Sequence, residues 1–194
     1  MTKQRLKVLI TVKTAPIPSK KYDELVCTAG VLEDGSFVRI YPINFRELDY
    51  YQQYRKYQWV ELDVEKHTGL DARKESYRPT GPLLLGKHID TERDPTWSRR
   101  AEFVLPQRAT SMEELVRLQT EDNTSLGLVR PKVVHDLKYT PDEPDWKASF
   151  ANALKQQRLW DHRDVTKEQL PRKLPWKFRY VFECNDPRCR GHEM

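Results

Sequence analysis

Apolar and polar residues alternate with a period of two through Leu6–Lys13, where Val8, Ile10 and Val12 fall on one face and Leu9 and Thr11 on the other. That is the pattern of a β-strand. Pro16 and Pro18 then remove backbone donors, so Thr14–Lys21 predicts a loop ending in two lysines. Glu24–Leu32 predicts a second strand with Gly30 placed for a bulge. Glu33-Asp34-Gly35 supplies the positive φ angles of a tight hairpin turn, and Phe37–Ile43 makes the third strand. Asn44 and Glu47 have the spacing of a capping box. The helix it opens runs to about Tyr57, with Phe45, Leu48 and Tyr51 on one side and Tyr50, Tyr54 and Tyr57 on another. Trp59–Val64 alternates again as a fourth strand, with Val60, Leu62 and Val64 inward.

Three antiparallel strands, a helix and a further strand is the order of elements in an OB-fold, whose helix sits between its third and fourth strands. Ser76–Arg78 and Pro82–Ile89 are the candidates for the fifth strand that closes the barrel. Asp90–Ser98 reads as the boundary, giving an OB-like domain over 1–95 and a second domain over 96–194. In the second half, Ala101–Leu105 predicts a short strand, and Ser111–Glu114 a capping box opening a helix to about Gln119. Lys132–Tyr139 reads as a strand, and Trp146–Trp160 as a helix with Phe150, Ala153 and Leu154 inward. Trp176–Cys184 is a strand with Trp176, Phe178, Tyr180 and Phe182 along one face and Lys177, Arg179 and Glu183 along the other. The fold class is therefore β-rich α+β: a small OB-like barrel (β-β-β-α-β) followed by a second small α+β or barrel-like unit with a C-terminal Cys/His segment.

Composition narrows the function classes. Charged residues make up 32% of the 194 and hydrophobic ones 38%, yet the apolar residues come in periodic runs, which argues for a folded chain. Those runs are a few residues long, against the roughly 20 a spanning helix needs, so no transmembrane helix is expected. The N-terminus enters a charged strand directly and has no signal-peptide core, which predicts a cytoplasmic location. Lys and Arg number 34 against 29 Asp and Glu, net +5 with a pI of about 9.0. A polyanionic partner fits that balance better than a cationic one. Three cysteines, Cys27, Cys184 and Cys189, are an odd set that argues for free or metal-bound thiols over a disulfide framework.

Two constellations carry candidate chemistry. On the third strand Phe37, Arg39 and Tyr41 share a face opposite Val38 and Ile40. If the aliphatic face is core, two rings flanking a guanidinium stand outward, a surface that stacks bases and pairs phosphates. Stacking contributes about 1–3 kcal/mol per base. Lys20 and Lys21 in the first loop, and Arg46, Arg55 and Lys56 on the predicted helix, would supply phosphate contacts. The competing reading places Phe37 and Tyr41 in the core and the lysines in ordinary solvent.

The second constellation is Cys184, Cys189 and His192, two thiolates and an imidazole within nine residues, a set of ligand types suited to zinc. A closed tetrahedral site needs a fourth ligand, for which Cys27, His162, Glu193 or a residue beyond Met194 are candidates. An open site holding water would be the catalytic alternative, but no general base stands nearby. Lys66–Arg78, with His67, Asp71, Arg73, Glu75 and Arg78, reads as a solvated loop, and Cys27 as a small buried hydrophobe. No glycine-rich phosphate loop is present.

Ile10–Gly30 (ITVKTAPIPSKKYDELVCTAG), Val38–Leu48 (VRIYPINFREL), Asp71–Pro79 (DARKESYRP) and, further on, Phe182–His192 (FECNDPRCRGH) together resemble a group of uncharacterised prokaryotic proteins with a dual OB-type domain. The resemblance covers mainly the first half. It implies a double small-barrel architecture and, by analogy of fold, nucleic-acid contact. It carries no catalytic residues across, and it implies a chain continuing past the Cys/His segment. The expected function is a nucleic-acid-binding module, for DNA or RNA, acting alone or as the recognition subunit of a larger prokaryotic defence-type system. A metal-dependent nuclease or hydrolase, with His162, Cys184, Cys189 and His192 around an open zinc, is one alternative. An adaptor with a protein partner is another.

Overall fold

The computed structural model describes residues 3–15, 17–19, 23–43, 45, 48–67, 73–92, 95–106, 108–109, 111–149, 152 and 172–194. The chain divides into two compact units, Met1–Ala15 with Val26–Arg130, and Pro16–Leu25 with Pro131–Met194. Among the described residues no helix is long and apolar enough to cross a membrane.

The first unit is built on a closed five-stranded barrel. Its strands are β1 (Lys3–Lys13), β4 (Thr28–Val31), β5 (Phe37–Ile40), β6 (Gln58–Lys66) and β7 (Ser76–Pro79). They pair in the order β1-β4-β5-β7-β6 and back to β1. Every pairing is antiparallel except β5 with β7. Strand β8 (Leu84–His88) pairs with the first half of β6, around Gln58–Glu61, while β7 takes its second half, Val64–Lys66. With β1 along its other edge, both edges of β6 are occupied, which leaves the barrel without a free edge there to template aggregation.

Alternation decides which side chains fill the barrel. Val8 and Ile10 from β1, Val38 and Ile40 from β5, and Val60, Leu62 and Val64 from β6 form one buried cluster with Ile43, Tyr54 and Leu83. Each such burial contributes on the order of 1.5–3 kcal/mol. The opposite face of the same strands is apolar as well. Leu9, Val31, Trp59 and Ile89 form a second cluster against which Phe37, Tyr57 and Phe103 pack. This outer layer explains the unbroken Val8-Leu9-Ile10 triplet, all three buried. Gly30 pairs with Ile10 where an added Cβ would run into the Leu9 carbonyl and the Val8 side chain.

Three expectations are corrected. The helix expected over 44–57 is absent from the described part, where Phe45 is in 3-10 geometry and a short 3-10 turn covers Tyr50–Gln52. Tyr54 turns into the barrel, edge-on to Phe45 at 4.9 Å between ring centres, with its hydroxyl paired to that of Thr28. Anchoring that ring draws the chain out of helical geometry, and Gln53 is already extended. The capping pair Asn44 and Glu47 lies outside the described residues.

The expected strand over 24–32 is split: only Thr28–Val31 joins the barrel. Strand β3 (Asp23–Leu25) instead forms a hairpin with β2 (Ile17–Ser19), inside the stretch expected to be a loop. The break falls where the Cys27 amide bonds the Thr14 hydroxyl oxygen and the Val26 amide bonds the Ile43 carbonyl.

Ala101–Leu105 belongs to helix α1 (Ser98–Val104). Arg100, Phe103 and Val104 share one helical face, on which Phe103 meets Trp59 at 5.2 Å, Arg100 lies 4.0 Å over Tyr57, and Val104 is buried.

Helix α2 (Met112–Asp122) starts as predicted, its Ser111 hydroxyl accepting from the Glu114 amide at 3.1 Å. Two short strands, β9 (Arg108–Ala109) and β10 (Leu128–Val129), pair in parallel beside it. In the second unit β11 (Val133–Pro141), β12 (Trp176–Glu183) and β13 (His192–Glu193) form an antiparallel sheet in that order. The helix predicted over Trp146–Trp160 lies mainly outside the described residues.

Tyr54 gives the barrel a measurable signature. Burial pushes its phenol up to about 12, outweighing the bond to Thr28, which acts the other way. A phenol whose pKa is raised on folding stabilises the fold below its ordinary value near 10 and loses that contribution as pH climbs toward 12. Absorbance titration should therefore show one tyrosine silent until the barrel opens at alkaline pH. Tyr54→Phe should abolish that late step, and a step that persists in the variant would show that another phenol is responsible.

Candidate metal centre and nucleic-acid interface

Strand β12 ends at Glu183, and Cys184 is the next residue, 2% exposed. The chain then turns, the Cys189 amide donating to the Asp186 carbonyl while Asp186 holds the Arg188 backbone and guanidinium. Gly191, at φ +85°, takes the left-handed conformation that a side chain would disfavour. That bend sends the chain back along β12, so that His192 lies opposite Phe182 with the two rings 5.4 Å apart.

The result is a cluster. The sulfurs of Cys184 and Cys189 and a ring nitrogen of His192 all lie within 4.8 Å of one another. Cys184 Sγ and His192 Nε2 are 3.6 Å apart, and the Cys184 amide points at Cys189 Sγ from 3.3 Å. A tetrahedral ion with Zn–S near 2.3 Å and Zn–N near 2.0–2.1 Å requires a sulfur–nitrogen edge of about 3.6 Å. The amide directed at sulfur is the kind of outer hydrogen bond that orients and stabilises a thiolate ligand. These three side chains can hold a metal ion.

Of the fourth ligands proposed from sequence, Glu193 is turned away. Lys138 Nζ bonds it at 2.7 Å and Arg179 at 3.4 Å, and these cations, Lys138 first, hold its carboxyl below the usual carboxylate range. His162 lies outside the described residues, and Cys27 belongs to the barrel unit, half-buried just ahead of β4.

The second candidate surface lies on the barrel. Val38 and Ile40 are each 1% exposed and face inward, so Phe37, Arg39 and Tyr41 face out. They do not form a bare ladder. Phe37 packs against the outer apolar cluster and lines a groove of about 650 Å³ beside α2, together with Tyr77, Leu115 and Leu118. The Arg39 guanidinium lies 4.6 Å over the Tyr41 ring and donates to the Ser76 hydroxyl at 3.1 Å. Tyr41 in turn faces the His67 ring at 6.3 Å, and His67 Nδ1 is buried with no hydrogen-bond partner among the described residues.

Further cations lie over rings around the barrel: Lys66 at 4.4 Å from Tyr77, and Lys13 at 3.9 Å from Phe45. Burial, and to a lesser degree the nearby Lys56 charge, lowers the Lys13 ammonium from its ordinary value. Arg55 and Lys56 are exposed beside β6, while Lys20, Lys21 and Arg46 lie outside the described residues.

Glu75 is the residue that the solvated-loop reading of Lys66–Arg78 misplaces. It is 5% exposed, and its carboxylate accepts from the Ser125 amide at 2.8 Å, the Leu126 amide at 3.1 Å and the Ser125 hydroxyl at 3.3 Å. Its partners lie fifty residues away, and no local pattern signals them. The one usable hint is its place just before Ser76–Arg78, already a candidate strand.

A family model described as a domain of unknown function, DUF8758, matches residues 4–106, and a second, DUF8757, matches residues 108–194. No curated protein and no solved structure matches the chain.

Proposed function

The chain belongs to the DUF8758 family, and we propose that it is a cytoplasmic nucleic-acid-binding module whose C-terminal turn holds a structural zinc ion. The observation that carries the reading is the orientation of β5. Because Val38 and Ile40 fill the barrel, the Arg39 guanidinium stacked on Tyr41 stands on its outside. A planar cation over an aromatic ring offers a phosphate both charge and bidentate hydrogen bonds, and leaves ring edges for bases. The net charge of +5 supplies the non-specific attraction such a surface needs.

The zinc assignment rests on ligand chemistry: two thiolates and an imidazole within 4.8 Å of one another select zinc over hard cations, which prefer oxygen. With Cys184 almost wholly buried, the ion's part is to fasten β13 to β12, not to present water to a substrate. His162, on which the hydrolase alternative drew, lies outside the described residues.

The test is a fluorescence-anisotropy titration with single- and double-stranded DNA and RNA oligonucleotides at two salt concentrations. Binding at low salt that weakens steeply as salt rises, and weakens further in Arg39→Gln, is the expected result. No binding at low salt, or binding indifferent to salt, overturns the reading. Stable co-purification with another protein and no affinity for nucleic acid would favour the adaptor.

A further inference from the structure

The C-terminal sheet carries an aromatic face that the barrel reading does not use. Along β12, Trp176, Phe178 and Tyr180 occupy alternate positions and are 42%, 52% and 57% exposed. Opposite them on β11 stand Pro141, Tyr139 and Leu137, in direct cross-strand register and therefore on the same face. Tyr139 is 66% exposed and meets Trp176 edge-on at 5.8 Å. The row ends at Phe182, which is buried against His192 of the metal cluster. The other face of the same strands is polar and internally paired: Lys138 and Arg179 bond Glu193, and Lys177 bonds Asp142.

We propose that this aromatic face is a stacking platform for single-stranded nucleic acid. The inference rests on the nucleic-acid reading above and locates the base-stacking part of the interface on the second unit. Three observations select this occupant.

The first is spacing. Residues two apart on a strand stand about 6.6 Å from one another, roughly twice the 3.4 Å base repeat of a duplex strand. A strand with its bases splayed can lay one on each ring, and a stacked duplex cannot. The second is charge. Arg172–Val181, RKLPWKFRYV, holds four Lys and Arg and no Asp or Glu, and Arg190 lies beyond the other end of the row. On the opposite face Asp142 pairs with Lys173 and Lys177 and Glu193 with Lys138 and Arg179, two acids against four cations, while Arg172 and Arg190 stand exposed at the two ends of the row for a polyanion. A second copy of the chain laid on this face would set one basic stretch against another. The third is residue type. Each ring presents a flat π-face of use to any base, so binding needs no base-specific hydrogen bonds.

The experiment uses the full chain with a fluorescein-labelled 12-nucleotide single strand, as DNA and as RNA, and the DNA duplex of the same sequence. The double variant Phe178→Leu/Tyr180→Leu keeps apolar bulk while removing two rings. Trp176→Leu provides a second, independent removal should the double variant fold poorly by circular dichroism. The expected result is preference for the single strand and about a tenfold or greater loss of single-strand affinity in the double variant. Unchanged affinity there alongside a loss in Arg39→Gln confines the interface to the barrel and overturns the proposal, while leaving the nucleic-acid reading intact. No binding by the unaltered protein overturns both. A concentration-dependent dimer, dissolved by the double variant and seen without affinity for oligonucleotides, would show a second copy on this face and equally overturn it.

Discussion

Purified protein is expected to contain one zinc ion per chain, and Cys184→Ser or a strong chelator should remove it and release β13. The reason lies in how short that strand is. β13 is two residues long: it pairs with β12 at Val181 and Phe182, Met194 and Tyr180 exchange backbone hydrogen bonds just beyond, and Glu193 bonds Lys138 and Arg179. Isolated pairing of that length has no stability of its own in water. In small zinc modules the ion contributes an apparent 10–16 kcal/mol at neutral pH. Here β11 and β12 share a long ladder, so loss of the ion should loosen the turn and β13 while that ladder survives. Hydrogen exchange resolves the two. Protection at His192 and Met194 should vanish in Cys184→Ser, while Val60–Val64 in the barrel exchange as before. A protein free of metal, or one whose β13 amides stay protected in the variant, would contradict the assignment.

Glu75→Ala should cost about 3–5 kcal/mol of stability in the barrel unit, and thermal melting should fall by on the order of 10 °C. The carboxylate satisfies two backbone amides and a hydroxyl of the loop that follows α2. Removing it leaves two part-buried amides, those of Ser125 and Leu126, without that partner, each at about 1–3 kcal/mol. Glu75→Gln keeps one acceptor oxygen at nearly the same volume and should recover roughly half of the loss. A melt of Glu75→Ala within a degree of the unaltered protein would show that the loop is held by other means.

The barrel was legible because its strands obey local rules. β1, β5 and β6 each bury one alternating face, and Asp34-Gly35 turns the chain with Gly35 at φ +83°. What misled was periodicity shared by two structures. Tyr50, Tyr54 and Tyr57 are spaced as on a helix, but Tyr50 faces solvent, Tyr54 fills the barrel, and Tyr57 sits at φ +61° under Arg100. Each has a different environment, imposed by contacts distant in sequence. The same limit explains Ala101–Leu105. Five apolar-leaning residues do not distinguish strand from helix, and Trp59, forty residues earlier, supplies the surface that makes the helix preferable.

At the metal cluster the residue types were readable, but not the bend at Gly191 that draws His192 back beside Cys184. The outward orientation of Arg39 follows from Val38 and Ile40. Its stacking on Tyr41 and its bond to Ser76 follow from β7 closing the barrel, a pairing no local pattern encodes.

The loop clasped by Glu75 bears on heredity as well as on stability. The two family models part between residues 106 and 108, whereas the compact barrel unit runs on to Arg130. Ser125 and Leu126 therefore belong to the second family segment by descent and to the first unit by folding. A gene rearrangement that joined the first segment to a different downstream sequence would inherit a buried carboxylate and none of its donors. Selection should disfavour such exchanges, so the two segments are expected to travel through genomes as a linked pair.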